Sequence, residues 1–411
     1  MKIGYYLAGV ADGLAQGGTA PYAHRLMEQL IPELPDFKFH LIAKASQAKY
    51  INFIKHAFQD AAISHSYITT PRGTTFVNVA SAILLAHDKK PLRRFLRHLN
   101  LVEMQLARQQ FDVLHCPVQV LPFYDWRHPF IITMHDVQEL HMPHFFAPKE
   151  RWIRSMNFWN LLENAAKVVV SFQHVKDDLI RLFDLKPDKV HVCPIPVNSA
   201  WFASKKTENA SAILEKYGIN EPFMLYPAQT WEHKNHTRLL QAMAYLRDHE
   251  KVVPPLLICT GKKNEFFQKI SLSVEALNLQ EKVRFLGVIP DAELQAMYLS
   301  CAFVVIPTLY EAGSFPLYEA MMLDKPVICA QTTSLPDGIR DSRFTFDPRN
   351  VGEMASMIKR MFTDSEYLKE NRQNSAIQAR RLLDERKQCI DRFAELYLSL
   401  NLTSTSIAKL G

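Results

Sequence analysis

The chain has 411 residues, too many for one ordinary hydrophobic core and enough for two domains, three at most. Hydrophobic residues make up 48% and charged residues 22%, the balance of a globular protein and not of a disordered one. No run of 18 apolar residues reads as a membrane-spanning helix, and a formal charge of +6 is too mild for a dedicated nucleic-acid binder.

Residues 1–200 carry 22 Lys+Arg against 17 Asp+Glu, so most of the excess cation lies in the first half. The six cysteines form no C-x-x-C pair, and most fall in or beside apolar strand runs. They read as small hydrophobes, reduced in a cytoplasm, not as a disulfide framework. The N-terminus lacks a long apolar signal region and reads as the first strand of a domain.

In chain order, strands are expected at 2–9, 38–43, 63–70, 111–117, 130–136, 167–172 and 189–194. Helices are expected at 19–34, 46–58, 89–110, 149–166 and 172–183. A polar stretch from 196 to 220 marks the best domain boundary. Beyond it, strands are expected at 223–228, 256–261, 283–289, 302–306 and 326–330, with helices between them. Such alternation argues parallel sheets covered on both faces. From about Arg386 the tail places Cys389, Ile390, Phe393, Leu396, Tyr397 and Leu400 at helical spacing.

Glu311 and Glu319 stand between the last two strands with seven residues separating them. Gly313 and Pro316 mark a tight turn there, where a helix opens. Glu311 is thus expected on a loop at the carboxyl end of a strand, where open α/β sheets bind ligands. Glu319 is expected inside the helix. Amide groups at that helix start suit a phosphate-bearing, hydroxyl-rich ligand.

Two further loops leave strands toward helices. One, Gln229-Thr230-Trp231-Glu232-His233-Lys234-Asn235, puts a lysine near a helix start, which suits a phosphate. The other holds Gly17 and Gly18, whose missing side chains allow close backbone approach. No Gly-Lys-Ser/Thr follows, so it is not a Walker loop. His135 ends a first-half strand and is placed to face a ligand. His141 and His144 form H-x-x-H beside it, but no third ligand at zinc spacing and no D-x-D appear, so no metal and no cofactor are expected. The 89–98 stretch alternates cations with Leu and Phe. It reads first as a solvated helix face, and second as a surface for an anionic membrane.

The segment from Glu311 to Glu319 resembles the Glu-x7-Glu motif of retaining glycosyltransferases of the GT-B fold, in particular family 4 (glycosyl transferases group 1). The usual form is Glu-Gly-Phe-Gly-x-Pro-x-x-Glu; here it reads Glu-Ala-Gly-Ser-Phe-Pro-Leu-Tyr-Glu. Both carboxylates and the Pro match, and the Gly-Phe-Gly core is rearranged. The Lys234 loop resembles the family's Gly-Arg-Leu-x-x-x-Lys-Asn segment, with Gln229 where the family has Arg. Arg238, Lys262 or Lys263 could compensate.

The resemblance implies two doubly wound Rossmann-like domains with a cleft between them and a C-terminal crossover helix. Residues 1–205 would bind the acceptor, 206–385 the nucleotide sugar, and 386–411 would return to the first domain. It implies hexose transfer, with retention and without metal, from GDP-mannose or a UDP-sugar to a glycan or lipid-linked acceptor. The setting would be cell-surface polysaccharide or glycoconjugate synthesis, in the cytoplasm or peripherally at the inner face of the cytoplasmic membrane. His135, Glu311 and Lys234 would carry the chemistry. Gly17, Gly18, Gln229, Lys234, Gly313, Ser314, Phe315 and Glu319 would bind the donor. A non-catalytic scaffold that binds sugar nucleotides or a partner is the alternative, and the missing Arg at 229 favours it.

Overall fold

A computed structural model describes residues 1–10, 19–69, 105–106, 109, 111–121, 129–196 and 210–407, with side chains to residue 400. Gly17, Gly18 and the 89–98 stretch lie outside the described residues. The chain divides into two compact units, Met1–Pro196 with Arg386–Gly411, and Val197–Glu385.

The first unit is built on a seven-stranded parallel sheet in the order β3-β2-β1-β4-β5-β6-β7. Its strands are β1 Lys2–Tyr6, β2 Lys38–Ala43, β3 Ile63–Tyr67, β4 Val113–Cys116, β5 Phe130–Thr133, β6 Lys167–Val170 and β7 Val190–Val192. The runs VLHC and FIIT of β4 and β5 are buried at every residue, as expected for strands covered on both faces. The Thr19–Glu33 helix buries Ala20, Ala23, Leu26, Met27 and Leu30, an apolar stripe at helical spacing. Strand order reverses between β1 and β4, so the carboxyl ends of these strands flank a switch point.

The second unit has six parallel strands in the order β10-β9-β8-β11-β12-β13. They are β8 Phe223–Pro227, β9 Leu256–Thr260, β10 Val283–Gly287, β11 Phe303–Ile306, β12 Val327–Ala330 and β13 Thr345–Phe346. The sequence pattern predicts five of the six. At two residues, β13 is too short to show a period. Here the order reverses between β8 and β11.

The last helix, Ser365–Ile407, runs from the second unit into the first. In the second unit the Asn371 amide bonds both the N–H and the C=O of Val327, at 2.7 and 2.8 Å. In the first unit Cys389, Ile390, Phe393, Leu396, Tyr397 and Leu400 are all buried, the face that the helical spacing singles out. All six cysteines are buried free thiols, and burial pushes Cys116 and Cys301 up to about 12. Among the described residues no helix is long and apolar enough to cross a membrane.

His115 on β4 is fully buried, and its Nδ1 meets the Tyr397 hydroxyl at 2.7 Å. Burial pushes its pKa down to about 3. The unfolded chain therefore takes up a proton near pH 6.5 that the folded chain refuses until about pH 3. Stability from this group is complete above pH 6.5 and is lost as pH falls toward 3. Between pH 6.5 and 5 the loss is about 2 kcal/mol, at about 1.4 kcal/mol per pKa unit. Denaturant unfolding of wild type and His115→Gln at the two pH values checks this. The variant should lose about 2 kcal/mol less than wild type over the interval.

Candidate active site

Lys234 and Glu311 meet at the switch point of the second sheet. The chain leaves β8 through a loop that ends in a 3-10 turn, Glu232–Lys234. It then bends through Asn235, whose φ of 63° is left-handed, into the His236–Asp248 helix. Asn tolerates that conformation, and here its amide has a second role: Nδ2 donates to the carbonyls of Pro307 and Pro348, both at 2.8 Å. The His233 carbonyl accepts from the Leu309 N–H at 2.7 Å and from the Thr308 hydroxyl at 3.0 Å. The loops after β8 and β11 are thus laced through main-chain groups. The buried Tyr226 hydroxyl donates to the Lys234 carbonyl at 2.7 Å. On this frame Lys234 Nζ reaches Glu311 Oε2 at 2.7 Å, with side chains 19% and 13% exposed.

Ser314 is buried and caps the Phe315–Met322 helix by accepting from the Leu317 N–H at 3.3 Å. Pro316 sits in the first turn, where its missing N–H costs nothing. Gly313 and Phe315 flank the cap and are half-buried. Glu319 lies one turn further in. It is 7% exposed, and Tyr298 donates its hydroxyl to Oε2 at 2.9 Å. The motif thus gives one carboxylate paired at the loop and one buried in the helix.

Gln229, half-buried, accepts from the exposed Trp231 indole N–H at 3.0 Å. Of the cations that could compensate, Arg238 donates to Asn235 Oδ1 at 3.1 Å. Lys262 and Lys263 are exposed, and Lys263 Nζ lies 4.7 Å from the centre of the Phe267 ring. The next loop closes tightly on this one. Gly261 has φ +117°, and a Cβ there would stand 2.7 Å from the Ala228 carbonyl oxygen, so only glycine fits.

In the first unit His135 follows β5. Its Nε2 lies 3.0 Å from the Pro117 carbonyl, and its ring meets Tyr22 edge-on at 4.7 Å. Gln119 Oε1 accepts from the main-chain N–H groups of His135 at 2.8 Å and Asp136 at 3.3 Å. Burial pushes the His135 pKa down, against the pull of Asp136, so the ring favours its neutral form. His141 pairs with Asp178 at 2.5 Å, and the His144 ring lies tilted against Phe145, centroids 4.2 Å apart. Among the described residues no group of three or more His, Cys, Asp or Glu could hold a metal ion.

Sequence reasoning singled out Lys234, Glu311 and Glu319 but missed what holds them. Tyr298 lies outside any motif. Thr332-Thr333-Ser334 follow β12 at its carboxyl end, and that run of hydroxyls at a strand exit is a signal that could have been read. Thr333 and Ser334 bond the main chain of Glu311.

Comparison with known proteins decides the family. The family model for glycosyl transferases group 1 matches residues 209–381, and that for glycosyltransferase family 4 matches 47–201. The chain belongs to this family. It is 26% identical over 240 residues to the O-antigen chain mannosyltransferase B of Escherichia coli, covering 58% of this chain and 62% of that protein. It spans only 29% of the length of the serotype-specific mannosyltransferase WbdA from the same organism. Among solved structures, a Rickettsia africae glycosyltransferase aligns with a TM-score of 0.67 and 17% identity, over 97% of this chain and 98% of that one. Anabaena Alr3699/HepE, solved with UDP and glucose, aligns with a TM-score of 0.69 and 16% identity, over 96% of this chain and all 100% of that one. The two parallel sheets with a long C-terminal helix are the GT-B fold of this family.

Proposed function

We propose that the chain is a retaining glycosyltransferase. It moves a hexose from a nucleotide-diphosphate sugar to a hydroxyl of a glycan or lipid-linked acceptor. The observation that carries this reading is the Lys234–Glu311 pair at the carboxyl ends of β8 and β11, with Glu319 buried one turn into the following helix. Breaking the bond between the anomeric carbon and the diphosphate oxygen leaves negative charge on that diphosphate. Lys234 Nζ, turning from Glu311, and the amides at the start of the Phe315–Met322 helix would meet that charge. The acceptor oxygen bonds to the anomeric carbon on the face the diphosphate leaves, so configuration is retained. The acceptor's proton passes to the departing phosphate oxygen.

Glu311 orients the sugar hydroxyls and does not attack. Glu319 takes the ribose hydroxyls, and a neutral His135 contacts the sugar. Gln229, Gly313, Ser314 and Phe315 serve the donor, and Gly17 and Gly18, which lie outside the described residues, are assigned to it from the sequence alone. The 206–385 segment holds the donor and the 1–205 segment the acceptor. Relatives named as mannosyltransferases weigh toward GDP-mannose, and a similar fold solved with UDP keeps UDP-sugars as the second donor class.

A thermal-shift panel of GDP, UDP, ADP, GDP-mannose and UDP-glucose tests the donor. Ligand binding stabilises the folded chain logarithmically in concentration over Kd, so one base should stand out. A flat response to all of them would sink the reading. Because protein cations serve the diphosphate, turnover should be unchanged in excess EDTA. Loss in EDTA with recovery in magnesium or manganese would count against Lys234 as the main cation.

A further inference from the structure

We infer that Thr333 is a positioning residue for Glu311. The inference rests on the proposed role of Glu311 and adds a residue that the Glu-x7-Glu motif does not contain. The loop after β12 brings three consecutive hydroxyls to the loop after β11. The Thr333 hydroxyl accepts from the Glu311 N–H at 3.0 Å and donates to the Glu311 carbonyl at 2.6 Å. The Ser334 hydroxyl donates to the same carbonyl at 3.0 Å. The Thr332 hydroxyl donates to the Leu309 carbonyl at 3.3 Å. Both main-chain polar groups of Glu311 are therefore held by Thr333, and only side-chain rotation remains for its carboxylate.

The backbone of Thr333 makes the case sharper. Its φ is 47°, left-handed, where a β-branched side chain is strained. A turn needed only for its shape would be better served by glycine. What threonine adds, and glycine lacks, is the hydroxyl that clasps Glu311. Strain of this kind persists where surrounding contacts over-determine it, and it concentrates at functional sites. Thr333 keeps the Glu311 carboxylate within reach of Lys234 before the donor arrives, and at the sugar afterwards.

The test is steady-state kinetics on the full chain, with GDP-mannose and UDP-glucose as donors and nucleoside diphosphate release as the readout. Thr333→Val removes the hydroxyl at nearly constant shape. It should lower kcat about 10-fold and change the donor KM less than about 2-fold, since a small misplacement costs rate more than binding. Thr333→Ser keeps the hydroxyl and should stay within about 2-fold of wild type in kcat. Thr333→Gly relieves the backbone but still lacks the hydroxyl, so it too should lose about 10-fold in kcat. In a Glu311→Gln background Thr333→Val should have no further effect, because it acts through Glu311. A Val or Gly variant with wild-type kcat, equal losses in Val and Ser, or losses that add to those of Glu311→Gln would each overturn the inference. Wild-type turnover by Glu311→Gln alone would instead overturn the role of Glu311, and this inference with it.

Discussion

Lys234→Ala should lower kcat by about 10²–10³-fold, the range seen when one preorganised partner of a developing charge is removed. The effect should fall on kcat far more than on donor KM. In the proposed reaction the diphosphate carries more charge in the transition state than in the bound donor, so Lys234 would bind the former better. Geometry supports a preorganised cation: the Lys234 main chain is tied by Tyr226, and its side chain is four-fifths buried. In the variant Glu311 loses its partner, so unfolding should be checked beside the kinetics. Lys234→Arg restores charge and serves as the control. A variant with full kcat and only a raised KM would make Lys234 a uniform binder.

Glu319→Gln should weaken binding of the preferred nucleoside diphosphate by about 10–100-fold, the worth of hydrogen bonds from ligand hydroxyls to an ionised acceptor. Gln is the better substitution because Glu319 is 7% exposed and accepts from Tyr298, so Ala would also open a cavity. Calorimetric titration with GDP and UDP reads the effect, with circular dichroism as the check on folding. Unchanged affinity for both nucleotides would remove Glu319 from the ribose site.

Much of this arrangement is legible in the amino-acid sequence because local rules and the fold agree there. Runs such as FVVI before the motif and VICA after it read as buried strands and are buried at every residue. The Gly313–Pro316 turn reads as a helix start, and Ser314 proves to be its cap. What stays illegible depends on distant partners. Nothing local ties Asn235 to Pro348, 113 residues away, or Thr333 to Glu311, 22 residues away. Such bonds are made by side chains at loop exits and carry no period. Gln229 is a different case. The sequence shows the missing Arg, and the structure turns Gln229 to Trp231.

Donor-dependent release of nucleoside diphosphate tests the central claim most directly. Wild type and Lys234→Ala are incubated with GDP-mannose and with UDP-glucose, alone and with a lipid or glycan extract as acceptor. The account predicts release by wild type from at least one donor, faster with acceptor, and about 10²–10³-fold slower in the variant. A wild-type chain that binds a donor in the thermal-shift panel, yet releases no nucleoside diphosphate with or without acceptor, would contradict it and leave a sugar-nucleotide-binding scaffold.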